Sequence, residues 1–444
     1  MNLAARFQGF EGCSPERDVF VARAPGRLDV MGGIGDYSGS LVLQKTTAEA
    51  AWSAVQRLDQ PTLELVSLKT EATGQRRALT LPLAAIDQPY DQLRAQLDQE
   101  ESRWASYLAG LFAALAQERG VRFSSGARVL LASDVPEGAG VASSAAIEVA
   151  TMHALCAAFD LELEARELAL LCQTAENQVA GAACGVMDQM AAACGDERAL
   201  YALLCQPAEQ RAPVALDDEL EIWGIDSGLR HSIAGSDYTS VRVGTFMGLA
   251  ILSADAGHDW GGYLANIDAD DFEQRLAAAL PEEMSGADFL DRYGDTADPV
   301  TSPDPDRTYA VRVPTSQPIR GHQRVQDFAA LLAQPPTPDN LSALGQLMYA
   351  SHAGMSECGL GSDGTDLLVD LVQRFGESSG LIGAKITGGG CGGAVAVLAR
   401  RSAEAAVEAV AEDYEELTGR PVRLFRGSSS GAYSFGTTAV RPTG

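Results

Sequence analysis

The sequence predicts a mixed α and β protein of two or three domains, and three observations carry that expectation. The chain has 444 residues, against roughly 100–200 per domain. Short strand-like apolar runs recur between helices that each carry one buried face. Apolar residues make up 46% of the whole, enough to bury a core. Charge narrows the function classes at once, because 60 Asp and Glu stand against 33 Lys and Arg, a formal net charge of −27. Such a field repels a nucleic-acid backbone or an anionic membrane, so neither is an expected partner.

The elements follow in order. Val19 to Ala22 reads as a strand running into the turn-forming Ala24-Pro25-Gly26-Arg27. From Trp104, the apolar Tyr107, Leu108, Leu111, Phe112 and Leu115 recur at helical spacing, with Gly120 as the stop. Ala127 to Ala132 is a short strand that enters the glycine-containing run from Pro136 to Ala145, and a segment of helical composition follows. A further helix carries Leu168, Leu171, Cys172, Ala175 and Val179 on one stripe and breaks at Gly181 and Gly185. Glu176 falls on that same apolar stripe. The polar, proline-bearing stretch from Gln206 to Pro213 marks a domain boundary, giving an N-terminal domain 1–205 and a C-terminal domain 206–444. Asp298 to Pro305 is another connection. The second half offers a strand from Leu220 to Ile225, helices near Val325 to Leu332 and Leu341 to Ser351, and a glycine-rich strand pair around Lys385 to Leu398.

Several of these segments could carry chemistry. The loop Gly138-Ala139-Gly140-Val141-Ala142-Ser143-Ser144-Ala145, feeding a helix, suits phosphate: glycines let the backbone approach, and the first helical N–H groups point outward with the macrodipole behind them. An ordinary N-cap by Ser143 or Ser144 is the alternative. No lysine stands nearby, which excludes a Walker A loop, and a dinucleotide fingerprint would need a glycine at Ser143. Glu176 needs a partner, since an unpaired buried carboxylate is heavily penalised; that partner is an internal hydrogen bond, an ion pair or a metal. Asp188, taken alone, reads as a helix cap. Thr387 to Gly393 holds five glycines in seven residues, as a tight hairpin or a close backbone approach requires. The five histidines show no metal or hydrolase spacing, and the run Asp268, Asp270, Asp271, Glu273 reads as a solvated face. Eight cysteines without a C-x-x-C pair, no leader-like N-terminus and no run of 18 apolar residues lead to an expected cytoplasmic protein with reduced thiols. The oligomeric state is not legible. Only three lysines occur, Lys45, Lys69 and Lys385, a bias that suits either a high-salt cytoplasm or a GC-rich genome.

Three stretches in order, Ala24 to Gly39 (APGRLDVMGGIGDYSG), Pro136 to Ala145 (PEGAGVASSA) and Lys385 to Gly393 (KITGGGCGG), resemble the three motifs of the GHMP small-molecule kinases. Glu176 and Gly185 to Gln189 (GVMDQ) are similar to the galactokinase branch. So are Asp226-Ser227, Arg230-His231-Ser232-Ile233, Tyr238, Ser351-His352, Cys358 and Asp366. Within the branch, Arg27 to Gln44, Arg292 to Thr296, Thr308 to Thr315 and Cys358 to Asp366 are most similar to its L-arabinose kinases. The resemblance implies an α+β fold of two domains with the active site in the cleft between them. It implies an ATP- and Mg2+-dependent sugar 1-kinase, whose partners are a small sugar and ATP.

By the same resemblance, Asp188 and Arg27 are catalytic, and Asp36, Tyr238 and Asp188 meet the sugar. Gly138, Gly140, Ser143, Ser144 and Ala145 hold the nucleotide, and Ser144 and Glu176 face the metal. Galactokinases carry Glu-His where this chain has Gly33-Ile34. The branch's Glu serves the C6 hydroxyl of galactose, and L-arabinopyranose lacks that hydroxymethyl group. The first Ser of motif two is Ala142 here, and Cys391 replaces an aromatic in motif three. Galactose is the alternative substrate, a catalytically silent sugar and ATP sensor the alternative class, and mevalonate or homoserine is disfavoured by Gly185 to Gln189 and Arg230 to Tyr238.

Overall fold

The computed structural model describes residues 3–70, 74–230 and 236–442. Its main strands are β1 (Val19–Met31), β2 (Leu41–Leu58), β3 (Thr62–Ser67), β4 (Arg77–Pro82), β5 (Gly126–Ser133), β6 (Ala199–Leu204), β7 (Leu220–Asp226), β8 (Leu381–Ile386), β9 (Ala394–Arg400), β10 (Arg423–Phe425) and β11 (Thr437–Val440). The larger sheet runs β11-β1-β2-β5-β3-β4, with β6 also on β2, and the smaller runs β8-β9-β7-β10. Pairing is antiparallel except between β3 and β5. Strand β11 closes the edge of β1, with Val19 opposite Val440 and Ala22 opposite Thr437.

Strand β1 departs from the expected short strand and turn: it continues through Pro25 and Gly26 to Met31. Its pairing with β2 shifts register between Pro25 and Arg27, and this bulge accommodates the proline and re-aims the strand. The Arg27 N–H is handed to the Val141 carbonyl at 3.1 Å, so the first motif meets the second through the backbone.

The main helices are α1 (Arg103–Arg119), α2 (Ser143–Ala158), α3 (Ala165–Ala175), α4 (Met187–Cys194), α5 (Ser236–Ala256), α6 (Arg312–Leu332), α7 (Pro338–Glu357), α8 (Asp363–Phe375) and α9 (Glu404–Thr418). Helix α1 ends where the sequence predicts, on Gly120 in the left-handed region. Helix α2 lies against β1 and β2 and is buried on nearly every side, Glu148 included. Helix α3 does not run uniformly to Val179 but widens into a π turn, Glu176–Ala180, before Gly181. Such turns occur frequently at functional sites. The two sheets are joined at β1 and β8, where Lys385 Nζ lies 2.7 Å from the Asp29 carboxylate and both side chains are fully buried. No described helix is long and apolar enough to cross a membrane, and no two described cysteines are joined in a disulfide.

Candidate active site

The site is built outward from the start of α2. Ala142, the residue before the helix, adopts a left-handed conformation (φ +58°), and no side chain caps the helix. The N-cap alternative for Ser143 and Ser144 is therefore overturned: both line a cavity of about 280 Å³, while the helix leaves its first donors to other partners. Motif three backs the loop. A Cβ on Gly393 (φ +79°) would lie 2.9 Å from Ala139 C and Gly140 N, so only glycine lets the two backbones touch. The glycine run thus serves both the β8 to β9 hairpin and a close backbone approach.

Arg27 and Asp188 meet across this loop. The guanidinium donates to both carboxylate oxygens, Nε to Oδ1 at 2.8 Å and Nη2 to Oδ2 at 2.7 Å, and Nη1 donates to the Gly140 carbonyl at 2.7 Å. Arg27 is nearly buried, whereas the Asp188 side chain keeps 21% of its exposure, on the cavity. Asp188 occupies the first turn of α4 but does not cap it, because Val186 holds the cap position. The expected capping role is corrected: a bidentate arginine holds the side chain more firmly than one backbone donor would.

The capping acceptor comes instead from Asp36, on the short turn Gly33–Ser38 after β1. Its oxygens accept from Val186 N and Met187 N, each at 3.2 Å. Burial, then the nearby Asp188 charge, push Asp36 up to about 6. A Cβ on Gly185 would fall 2.0 Å from Asp36 Oδ2, which explains the glycine there. Tyr238, at the start of α5, packs edge-on to Tyr37 at 6.1 Å and lines the same cavity. Gly33 lines it too, with Met355 Sδ 3.0 Å from where a Cβ would stand, while Ile34 is turned into the core.

Glu176 is 2% exposed and finds its partners among side chains. Gln189 Nε2 donates at 2.6 Å, and Ser144 bonds to it as well. Burial pushes Glu176 up to about 7, with Ser144 opposing and Asp188 adding to the shift. Sequence reasoning missed Glu148, which is fully buried and in hydrogen-bond contact with Glu176; burial and that neighbour raise it well above the carboxylate range. Its spacing, one helical turn after Ser144, was the available signal.

Gly138 and Gly140 line the cavity; Ala145 is buried in α2 and does not. Lys385 is committed elsewhere: its three donors reach the Asp29 carboxylate, the Asp29 carbonyl and the Ile386 carbonyl, so none remains for phosphate. Asp226 holds Arg230 at 2.9 Å, and His352 Nε2 lies 3.2 Å from Asp366; His231, Ser232 and Ile233 lie outside the described residues. Asp271 and Glu273 pair with Arg275 and Arg320 on the surface. A second cavity, about 850 Å³, shares Arg103, Tyr107, Gly138, Ser143 and Ser144 with the first and adds Trp104. Sequence periodicity had put Trp104 and Tyr107 only on a buried helix face.

The chain's likeness to known proteins covers the same parts. Residues 106–196 match the GHMP kinases N terminal domain and residues 328–416 the GHMP kinases C terminal model. An Arabidopsis thaliana L-arabinokinase is 42% identical over 96% of this chain, which spans 47%, about half, of that relative. A Streptomyces coelicolor galactokinase is 31% identical over 93% of this chain and 92% of its own length. The crystal structure of Lactococcus lactis galactokinase complexed with galactose has the same fold, with a TM-score of 0.75 at 20% identity over 99% of this chain and 98% of its own. The two family models fall on the halves that supply the cradle and the loop behind it, and the galactokinase match runs nearly end to end; this chain belongs to the GHMP kinase family.

Proposed function

We propose that this protein is an ATP-dependent sugar 1-kinase that converts L-arabinose to L-arabinose 1-phosphate. The observation that carries the reading is the bidentate Arg27–Asp188 pair facing the uncapped start of α2 within one cavity. The preference for the pentose rests on the L-arabinokinase relative and on Gly33, which offers a C6 hydroxyl no side-chain partner.

In the proposed reaction the Asp188 carboxylate accepts the anomeric proton. The freed oxygen bonds to the γ-phosphorus as the bond from that phosphorus to the bridging oxygen breaks, and ADP leaves. Phosphoryl transfer asks mainly for positioning and charge stabilisation. Arg27 holds Asp188 in place and puts positive charge beside the transferring group, the Gly138 to Ser144 backbone cradles the triphosphate, and Asp36 and Tyr238 hold sugar hydroxyls. A net charge of −27 opposes nucleotide capture, so these local positive ends do the recruiting.

Ser144 and Glu176 fit a magnesium ion. Both offer oxygen, and Glu148 Oε1 beside Glu176 is a buried oxygen without a partner. No three described His, Cys, Asp or Glu gather to hold a metal by themselves, which suits an ion that keeps water and shares substrate phosphates. When bound, it would neutralise charge on the phosphates.

Comparing kcat/KM on L-arabinose and D-galactose, with ADP release as readout, tests the assignment. We expect arabinose to be preferred with some galactose turnover, since a pocket lacking a partner group rejects an added hydroxyl by only about 100-fold. Galactose winning by tenfold makes the protein a galactokinase; no ADP release with either sugar makes it a sensor.

A further inference from the structure

The geometry points to Gln189 as the positioning residue that fixes the Glu176 carboxylate and ties its place to that of Asp188. Gln189 is fully buried. Its Nε2 donates to Glu176 Oε2 at 2.6 Å and to Glu148 Oε2 at 3.2 Å, which uses both amide hydrogens. The amide thus turns its nitrogen end toward both carboxyls. The other end, Oε1, has no partner, and an unpaired buried carbonyl is costly. The side chain is therefore kept for its donor end, since packing alone would be better served by an apolar residue.

Gln189 directly follows Asp188 on α4, a helix whose start is held by the Asp36 carboxylate. Successive helical residues diverge by about 100°, so one turn sends Asp188 to Arg27 and Gln189 to Glu176. The spacing between the proton acceptor and the metal-facing acid is then set by one rigid turn. Glu176 itself sits on a π turn and needs such an outside anchor. The inference rests on the reading of Glu176 as metal-facing.

The test is Mn2+ binding to the nucleotide-bound protein, followed by electron paramagnetic resonance, with sugar KM and kcat measured alongside. Gln189→Met keeps length and removes the donor; it should weaken Mn2+ binding by about 10-fold or more, the scale for losing a group that orients a metal ligand. kcat should fall and sugar KM stay within twofold. Gln189→Asn, which keeps the amide but withdraws it by one methylene, should show a smaller loss and decides the matter if Gln189→Met does not fold. Parental Mn2+ affinity in either folded variant overturns the role of Gln189. Glu176→Gln separates the two ideas: if it too binds Mn2+ as the parent does, the metal-facing reading of Glu176 fails first.

Discussion

Two buried acid clusters lie within this molecule, and they are built on opposite principles. Around Asp29, each carboxylate oxygen is matched: Lys385 Nζ and Gly33 N serve Oδ2, and Gln44 Nε2 serves Oδ1. Around Glu176, two carboxyls are served by the Gln189 amide and the Ser144 hydroxyl, and Glu148 Oε1 is left unpartnered. The first cluster balances its charge internally and joins the two sheets. The second opens on a cavity through Glu176, which supports the metal-facing role proposed for that residue. Burial alone does not separate the two clusters; the cation paired to Asp29 does.

The largest effect should come from breaking the balanced cluster. Lys385→Met leaves Asp29 buried without its cation, and the expected loss is about 3–5 kcal/mol of stability, read from urea unfolding. A loss below about 1 kcal/mol would mean the pair does not join the sheets. Asp188→Asn probes a third arrangement, paired but open to the cavity; turnover should fall at least about 100-fold in a chain that still folds. Near-parental turnover removes Asp188 from the chemistry.

The Glu176 cluster gives a smaller and oppositely signed effect. With Glu176 pushed up to about 7 and Asp36 to about 6, the folded chain holds protons that the unfolded chain has released between about pH 4 and 7. Stability from these groups is therefore fully present at the acid end of that window and falls as pH rises through it. Glu176→Gln should flatten the slope and raise stability near pH 8 by roughly 1–3 kcal/mol, measured by unfolding from pH 5 to 8. An unchanged slope would show that Glu176 does not carry the shift.

Much of this arrangement was legible in the sequence where local chemistry dictates it. The α1 stripe and its Gly120 stop, and the strand, glycine loop and helix of motif two, need only neighbours along the chain. What escaped depends on distant partners. Asp188 resembled a cap because nothing local announces Arg27, 161 residues away. Glu148 was hidden in an alanine-rich helix buried on nearly every side, where no polar face marks it. The extent of β1 was underestimated because Pro25 and Gly26 argue for a turn, whereas pairing with β2 through a bulge carries the strand across them.

The pairing of β11 with β1 has a consequence for biosynthesis. Residues 19–22 emerge from the ribosome some 400 residues before 437–440 can reach them, an interval of roughly 20–80 s at ordinary elongation rates. Throughout it the nascent polypeptide carries an uncovered strand margin, a ready template for joining a neighbour. Production of this protein in quantity should accordingly benefit from slower initiation or from a holding chaperone, which would shield that margin until residues 437–440 have been made.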